Sequence, residues 1–76
     1  MLTRRNFEAL AVITGGTLAA ALRSGGEETR TAVYNELYRP LVAHCNGDNP
    51  EFDSLRFSAA VGKAETEALR KVPIVG

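Results

Sequence analysis

NGDNPEFDSLRFSAAVG, residues 46–62, stops one helix and starts another within a few positions. Gly47, Asp48, Asn49 and Pro50 form a dense breaker cluster that a helix arriving from the N-terminal side does not cross. The Pro50 ring clashes with a helical preceding residue and pushes Asn49 toward extended geometry. Asp53 stands where an N-cap belongs, with its carboxylate placed to accept from the amides of the next turn. Phe52 precedes that cap and Phe57 falls at the fourth helical position, the spacing of a hydrophobic staple. The pattern predicts two phenyl rings clamping the entry of a short helix that runs to about Val61 and ends at Gly62.

The same device stands at the other end of the chain. Thr3 can cap, Leu2 precedes it, and Phe7 lies at the fourth helical position. From there Phe7, Leu10, Ala11, Thr14, Leu18, Ala21 and Leu22 recur at three-and-four spacing and predict a helix from about 4 to 23. Gly15 and Gly16 interrupt it at about 1 kcal/mol each relative to alanine. They mark a kink, a break or a place where another helix comes close. Ser24, Gly25 and Gly26 end the element.

A second helix is expected from near Glu27 to about Cys45, with Glu27 and Glu28 suited to its positive N-terminal end. Val33, Tyr34, Leu37, Tyr38, Leu41, Val42 and Cys45 give it a broad apolar stripe. Pro40 lies inside that stripe and crowds the carbonyl of Glu36, so the helix kinks or divides there. Tyr34 and Tyr38 share a face, either lining the core with their hydroxyls at its edge or forming an exposed contact pair. After Gly62, residues 63–71 are good helix formers with a thin apolar stripe (Ala64, Ala68, Leu69) that packs weakly or serves a partner. Pro73 stops this element and leaves residues 72–76 as a small apolar tail containing Ile74 and Val75.

The expected fold is therefore all-α, a single domain over residues 1–76 with three helices and room for a short fourth. Its expected core is Phe7, Leu10, Leu18, Val33, Leu37, Leu41, Phe52, Phe57 and Val61. Chains of this size hide only about 60% of their unfolded surface, so help from oligomerisation or a partner is natural.

Composition narrows the function by elimination. Nine basic and nine acidic side chains balance, which argues against affinity built on phosphate contacts. The charge is unevenly placed. Residues 27–55 carry Arg30 and Arg39 against Glu27, Glu28, Glu36, Asp48, Glu51 and Asp53, while both flanking segments are net basic. Cys45 is the lone cysteine, which removes any internal disulfide and points to a reducing compartment, expected to be the cytoplasm. His44 beside it is the lone histidine, and adjacent helical side chains diverge by about 100°, so no Cys–His nucleophile forms. No metal-ligand set, phosphate loop or cofactor motif is present, and no catalytic activity is expected. Arg56, between the two staple rings, is expected to pair with Asp53 or Glu51 or simply to stand exposed, ahead of recognising a phosphate or a partner.

Residues 2–11 (LTRRNFEALA) and the segment Asn49-Pro50-Glu51-Phe52-Asp53-Ser54-Leu55-Arg56-Phe57 together resemble small uncharacterised proteins of actinobacteria and their bacteriophages. Those proteins begin with a Thr-capped aromatic helix and end in an Asn-Pro-x-Phe-Asp-x-x-Arg-Phe segment. The Gly15-Gly16 pair, Pro40 and the extra tail depart from that pattern. The resemblance implies a helical fold and no functional residues. The expected role is a non-enzymatic interaction protein, such as a phage accessory factor that binds a host or phage protein. Expected contact residues are Tyr34, Tyr38, Lys63, Arg70, Lys71, Ile74 and Val75. The partner is another protein or a second copy, with neither nucleic acid nor a membrane favoured.

Three rival readings stand beside it. One is a virion structural component. Another is DNA binding through Arg4, Arg5, Arg23 and Arg30. The third is export by a twin-arginine leader. For that, Thr3-Arg4-Arg5-Asn6-Phe7 precedes an apolar run from residue 9 to 22 that ends with small residues Ala19, Ala20 and Ala21. Glu8 sits against the leader, and the run is too short to span a membrane as a helix.

Overall fold

The structure, a computed structural model, describes residues 2–71. Every regular element among them is helical: α1 (Arg4–Val33), a five-residue π-turn (Tyr34–Tyr38), α2 (Arg39–Asp48) and α3 (Ser54–Lys71). The all-α, three-helix expectation holds. The tail at Ile74 and Val75 lies outside the described residues.

α1 is broken once, at Gly26, whose φ of 72° and ψ of −167° suit glycine alone. The stop expected at Ser24, Gly25 and Gly26 is thus a one-residue bend. Residues 4–25 form an outgoing limb, and 27–48 return through the π-turn and α2. The return is closed by hydrogen bonds: the Leu2 amide donates to Asp48 Oδ2 at 2.6 Å, and Asn49 Nδ2 donates to the Leu2 carbonyl at 3.1 Å. α3 then runs parallel to the outgoing limb. Phe52 meets Phe7 with ring centroids 4.7 Å apart at one end. At the other end Arg23 Nη1 donates to the Ala68 carbonyl at 3.4 Å. The path is up, down, up.

Eight of the nine expected core residues lie in the core cluster or pack against it, which centres on Ala11, Leu18, Tyr38, Phe57 and Val61. Leu37 does not, being 38% exposed. Pro40 explains the difference. It has no amide to donate and would crowd the Glu36 carbonyl. The chain widens instead of kinking, and the Arg39 amide donates to the Tyr34 carbonyl five residues back. The extra residue in that turn rotates the inward position from Leu37 to Tyr38, which is 8% exposed.

The second correction is at Gly62. The helix entered at Ser54 does not end there but continues to Lys71, absorbing the expected fourth helix. Glycine in a helix costs about 1 kcal/mol against alanine. Burial of Val61 on one side and Glu65 on the other outweighs that cost.

Of the three readings open for Gly15 and Gly16, close approach is the one realised, and only at Gly15. A β-carbon there would lie 2.6 Å from the Val61 carbonyl, 2.6 Å from Ala64 Cβ and 2.8 Å from the Glu65 amide nitrogen. Two of those neighbours are backbone and cannot step aside. At Gly16 an added β-carbon meets nothing within 4 Å. The expected outcomes have opposite signs in urea denaturation of dilute protein. Gly15→Ala destabilises by about 1–3 kcal/mol through overpacking, and Gly16→Ala stabilises by up to about 1 kcal/mol.

Candidate interaction surface

Both helix entries are built as their sequences imply. Asp53 Oδ1 accepts from the amides of Leu55 and Arg56, each at 3.1 Å. Thr3 Oγ1 accepts from the Asn6 amide while Asn6 Oδ1 accepts from the Thr3 amide, a reciprocal capping box. The staple rings Phe52 and Phe57 lie 5.4 Å apart. Phe7 joins them from α1, so one aromatic cluster ties the α1 and α3 entries together. Asn49 serves both neighbours: its Oδ1 accepts from the Glu51 amide at 2.9 Å while its Nδ2 holds Leu2.

Between these entries lies a groove of about 350 Å³, floored by Phe7, Phe52 and Phe57 and rimmed by Arg4, Glu8, Glu51, Asp53 and Arg56. Its rim mixes both signs, and Arg4 pairs with Glu8 at 3.5 Å within α1. Arg56 finds neither Asp53 nor Glu51 as an ion-pair partner among the described residues, and Asp53 is occupied as a cap. Among the described residues no group of three His, Cys, Asp or Glu side chains is placed to hold a metal ion. No buried side-chain polar atom among them lacks a partner. Thr14, for instance, donates to the Leu10 carbonyl at 2.7 Å.

The strongest electrostatic feature is structural. Arg30, just beyond the Gly26 bend, grips Glu65 of α3 with a two-pronged contact of 2.5 Å (Nε–Oε2) and 2.7 Å (Nη2–Oε1). The hydrogen bond to Glu65 raises the Arg30 pKa against the opposing effect of partial burial, with Coulombic attraction adding to it. A raised arginine keeps its charge across the physiological range. Cys45 is fully buried while His44 is exposed, which separates the adjacent pair. Burial, and then the charge of Asp48, pushes the Cys45 thiol up from its ordinary value.

The expected contact residues disperse. Tyr38 is buried, stacked between Tyr34 at 4.6 Å and Phe57 at 6.1 Å. It therefore belongs to the core, with Tyr34 half-buried beside it. Lys63, Arg70 and Lys71 are exposed on α3. Lys63 and Arg70 stand seven residues apart, two turns along one face, with Arg56 seven residues before them. Of the four arginines offered to DNA, Arg4 and Arg30 are paired with carboxylates and Arg23 reaches Ala68, so they do not gather into one phosphate-facing surface.

The largest feature missed by periodicity is the outer face of α1. Val12 and Ile13 are 64% and 63% exposed. They lie among Ala9, Gly16, Thr17 and Ala20, opposite the buried Ala11, Thr14, Gly15 and Leu18. The signal was available in the sequence, since the 14 residues 9–22 carry no charge at all. A helix apolar all round normally has partners on every side. No helix among the described residues is long and apolar enough to cross a membrane.

The free thiol yields a direct check on this packing. Cys45 is expected to stay unreactive toward Ellman's reagent in native buffer and to react at once in denaturant. Rapid labelling of the native chain would refute its burial. Raising the folded pKa of an acid makes its contribution to stability complete below the ordinary thiol value of 9.0 and progressively lost above it. The native chain therefore loses more stability above pH 9 than its Cys45→Ala variant does. No protein-family model, curated protein sequence or solved structure matches the chain.

Proposed function

We propose that this chain is a non-enzymatic interaction protein that works by presenting the outer face of α1 to another polypeptide. One observation carries the reading: Val12 and Ile13 stand in solvent in the middle of an uncharged helical run whose opposite side already fills the core. Exposed apolar patches of this kind mark contact surfaces, whereas scattered single residues do not. The surface differs from the one expected from the sequence: Tyr38 is taken by the core, and Ile74 and Val75, the apolar residues expected beside the exposed Lys63, Arg70 and Lys71, lie outside the described residues. The resemblance to phage proteins supplies a setting for this role and no residues.

A benzophenone amino acid placed at Ile13 tests the proposal in cells that make the protein. Illumination is expected to give a discrete adduct from Ile13 and none from Lys63. Adducts from Lys63 alone, or none from either, would overturn it.

A second reading draws on the same uncharged run. With Arg4 and Arg5 exposed before it and Ala19, Ala20 and Ala21 near its end, the outgoing limb also has the composition of a twin-arginine export signal. Removing it would strip most of the core from α3, so the remainder would need a new cover. Intact mass of protein from its native host separates the two: a chain beginning after Ala21 favours export, and one retaining Leu2 ends that reading.

A further inference from the structure

We infer that the outer face of α1 is a two-fold dimer interface, and that its occupant is α1 of a second copy running antiparallel. This rests on the reading of that face as a contact surface and names the partner. The face is self-complementary about a point between Thr14 and Gly15. Turning a second helix end over end about that point places Ile13 opposite Gly16, Val12 opposite Thr17 and Ala9 opposite Ala20. Each pairing occurs twice, as a two-fold interface requires. The match is one of shape as well as order. Ile13 projects while Gly16 opens a gap, since an added β-carbon there meets nothing within 4 Å.

Charge selects the same occupant. No charged side chain lies between Ala9 and Leu22, so a charged partner helix would lose its solvation there without compensation. At the ends of the face stand groups with no ion-pair partner among the described residues: Arg5 at one end, and Glu27 and Glu28 just past the other. The antiparallel pairing sets Arg5 opposite Ser24 of the other copy. There the outgoing limb ends at the Gly26 bend, with its negative dipole end and the two glutamates next in line. Both ends of the dimer gain this attraction. A parallel pairing would instead set Arg5 against Arg5.

The contact is small. Ala9 to Ala20 spans about 17 Å of helix at 1.5 Å per residue, short of the roughly 800 Å² per partner of a standard interface. The dimer is therefore dissociable, with a dissociation constant on the order of micromolar or weaker.

Analytical ultracentrifugation of the purified chain, from micromolar to about millimolar, tests this. The expected result is a reversible rise from 8.2 kDa to twice that mass. Ile13→Lys and Gly16→Leu are each expected to weaken dimerisation about tenfold or more. Leu55→Lys is the control: Leu55 is 83% exposed on α3, so general stickiness would follow it and this interface would not. Circular dichroism confirms that each variant keeps its helices. In a Cys45→Ala background, Ala9→Cys mixed with Ala20→Cys gives the crossed disulfide, whereas like-with-like disulfides would mean parallel pairing and overturn the inference. A chain that stays monomeric to millimolar concentration overturns it as well. If Ile13 still cross-links to a different protein in that case, the contact-surface reading survives without the dimer; if it cross-links to nothing, both fall.

Discussion

The rest of the structure depends on how closely α3 lies against the outgoing limb of α1, and one missing methyl group permits it. At Gly15 the Val61 carbonyl and the Glu65 amide come within 3 Å of where a β-carbon would stand. Dispersion is strong only at contact, and a gap of an ångström forfeits much of it. In a chain of 76 residues the apolar area is too scarce to waste on a loosely seated helix. Seating α3 that tightly brings Val61 and Phe57 under Leu18 and Ala11, and places Glu65 where Arg30 can grip it with both oxygens. The ion pair follows from the packing. It fixes the returning limb just past the bend, on the side of the bundle where the aromatic cluster cannot reach.

The two ends of the bundle are held by different chemistry. At one end Phe7, Phe52 and Phe57 form one aromatic cluster, and Asp48 and Asn49 reach back to Leu2. At the other, Gly26 turns the chain in a single residue, with Arg23 and Arg30 spanning to α3. The spacing of residues 46–62 alone marks the breaker cluster as architecture. Its polar side chains prove to be part of that architecture too, since Asn49 caps its own turn and anchors a residue 47 positions away.

What was legible in the sequence was local. The caps, the Phe52–Phe57 staple and the helical class all follow from residues a few positions apart and are present as read, while the stop read at Ser24, Gly25 and Gly26 is realised as a bend at Gly26. Two of the misses share a cause: a contact distant in sequence decides the outcome at Gly62 and at Gly15. Gly62 reads as a stop until α1 is seen to bury Val61 and Glu65 around it. Leu37 reads as core until the missing amide of Pro40 widens the turn and brings Tyr38 inward in its place. Gly15 and Gly16 are indistinguishable in sequence, yet one faces a backbone and the other faces solvent. Of the two readings open for Tyr34 and Tyr38, a period of four puts both rings on one side without saying which side is covered, and the core takes Tyr38 with Tyr34 half-buried beside it.

The outer face of α1 belongs to this account. A helix that must pass within van der Waals reach of another needs small residues, and the buried side of α1 is Ala11, Thr14, Gly15, Leu18, Ala19 and Ala21. Small residues bury little area each, so the inner face alone makes a modest contribution. The opposite face has no such constraint, and charges there would favour solubility and could form stabilising pairs four residues apart. Arg4 and Glu8 make such a pair one turn earlier, and the charges then stop until Arg23. Solvation of a lone bundle does not account for the absence of charge from the water-facing positions Ala9, Val12, Ile13, Thr17 and Ala20 of that run. The proposed contact with a second copy would account for it, with Ile13 set against Gly16 in the antiparallel arrangement.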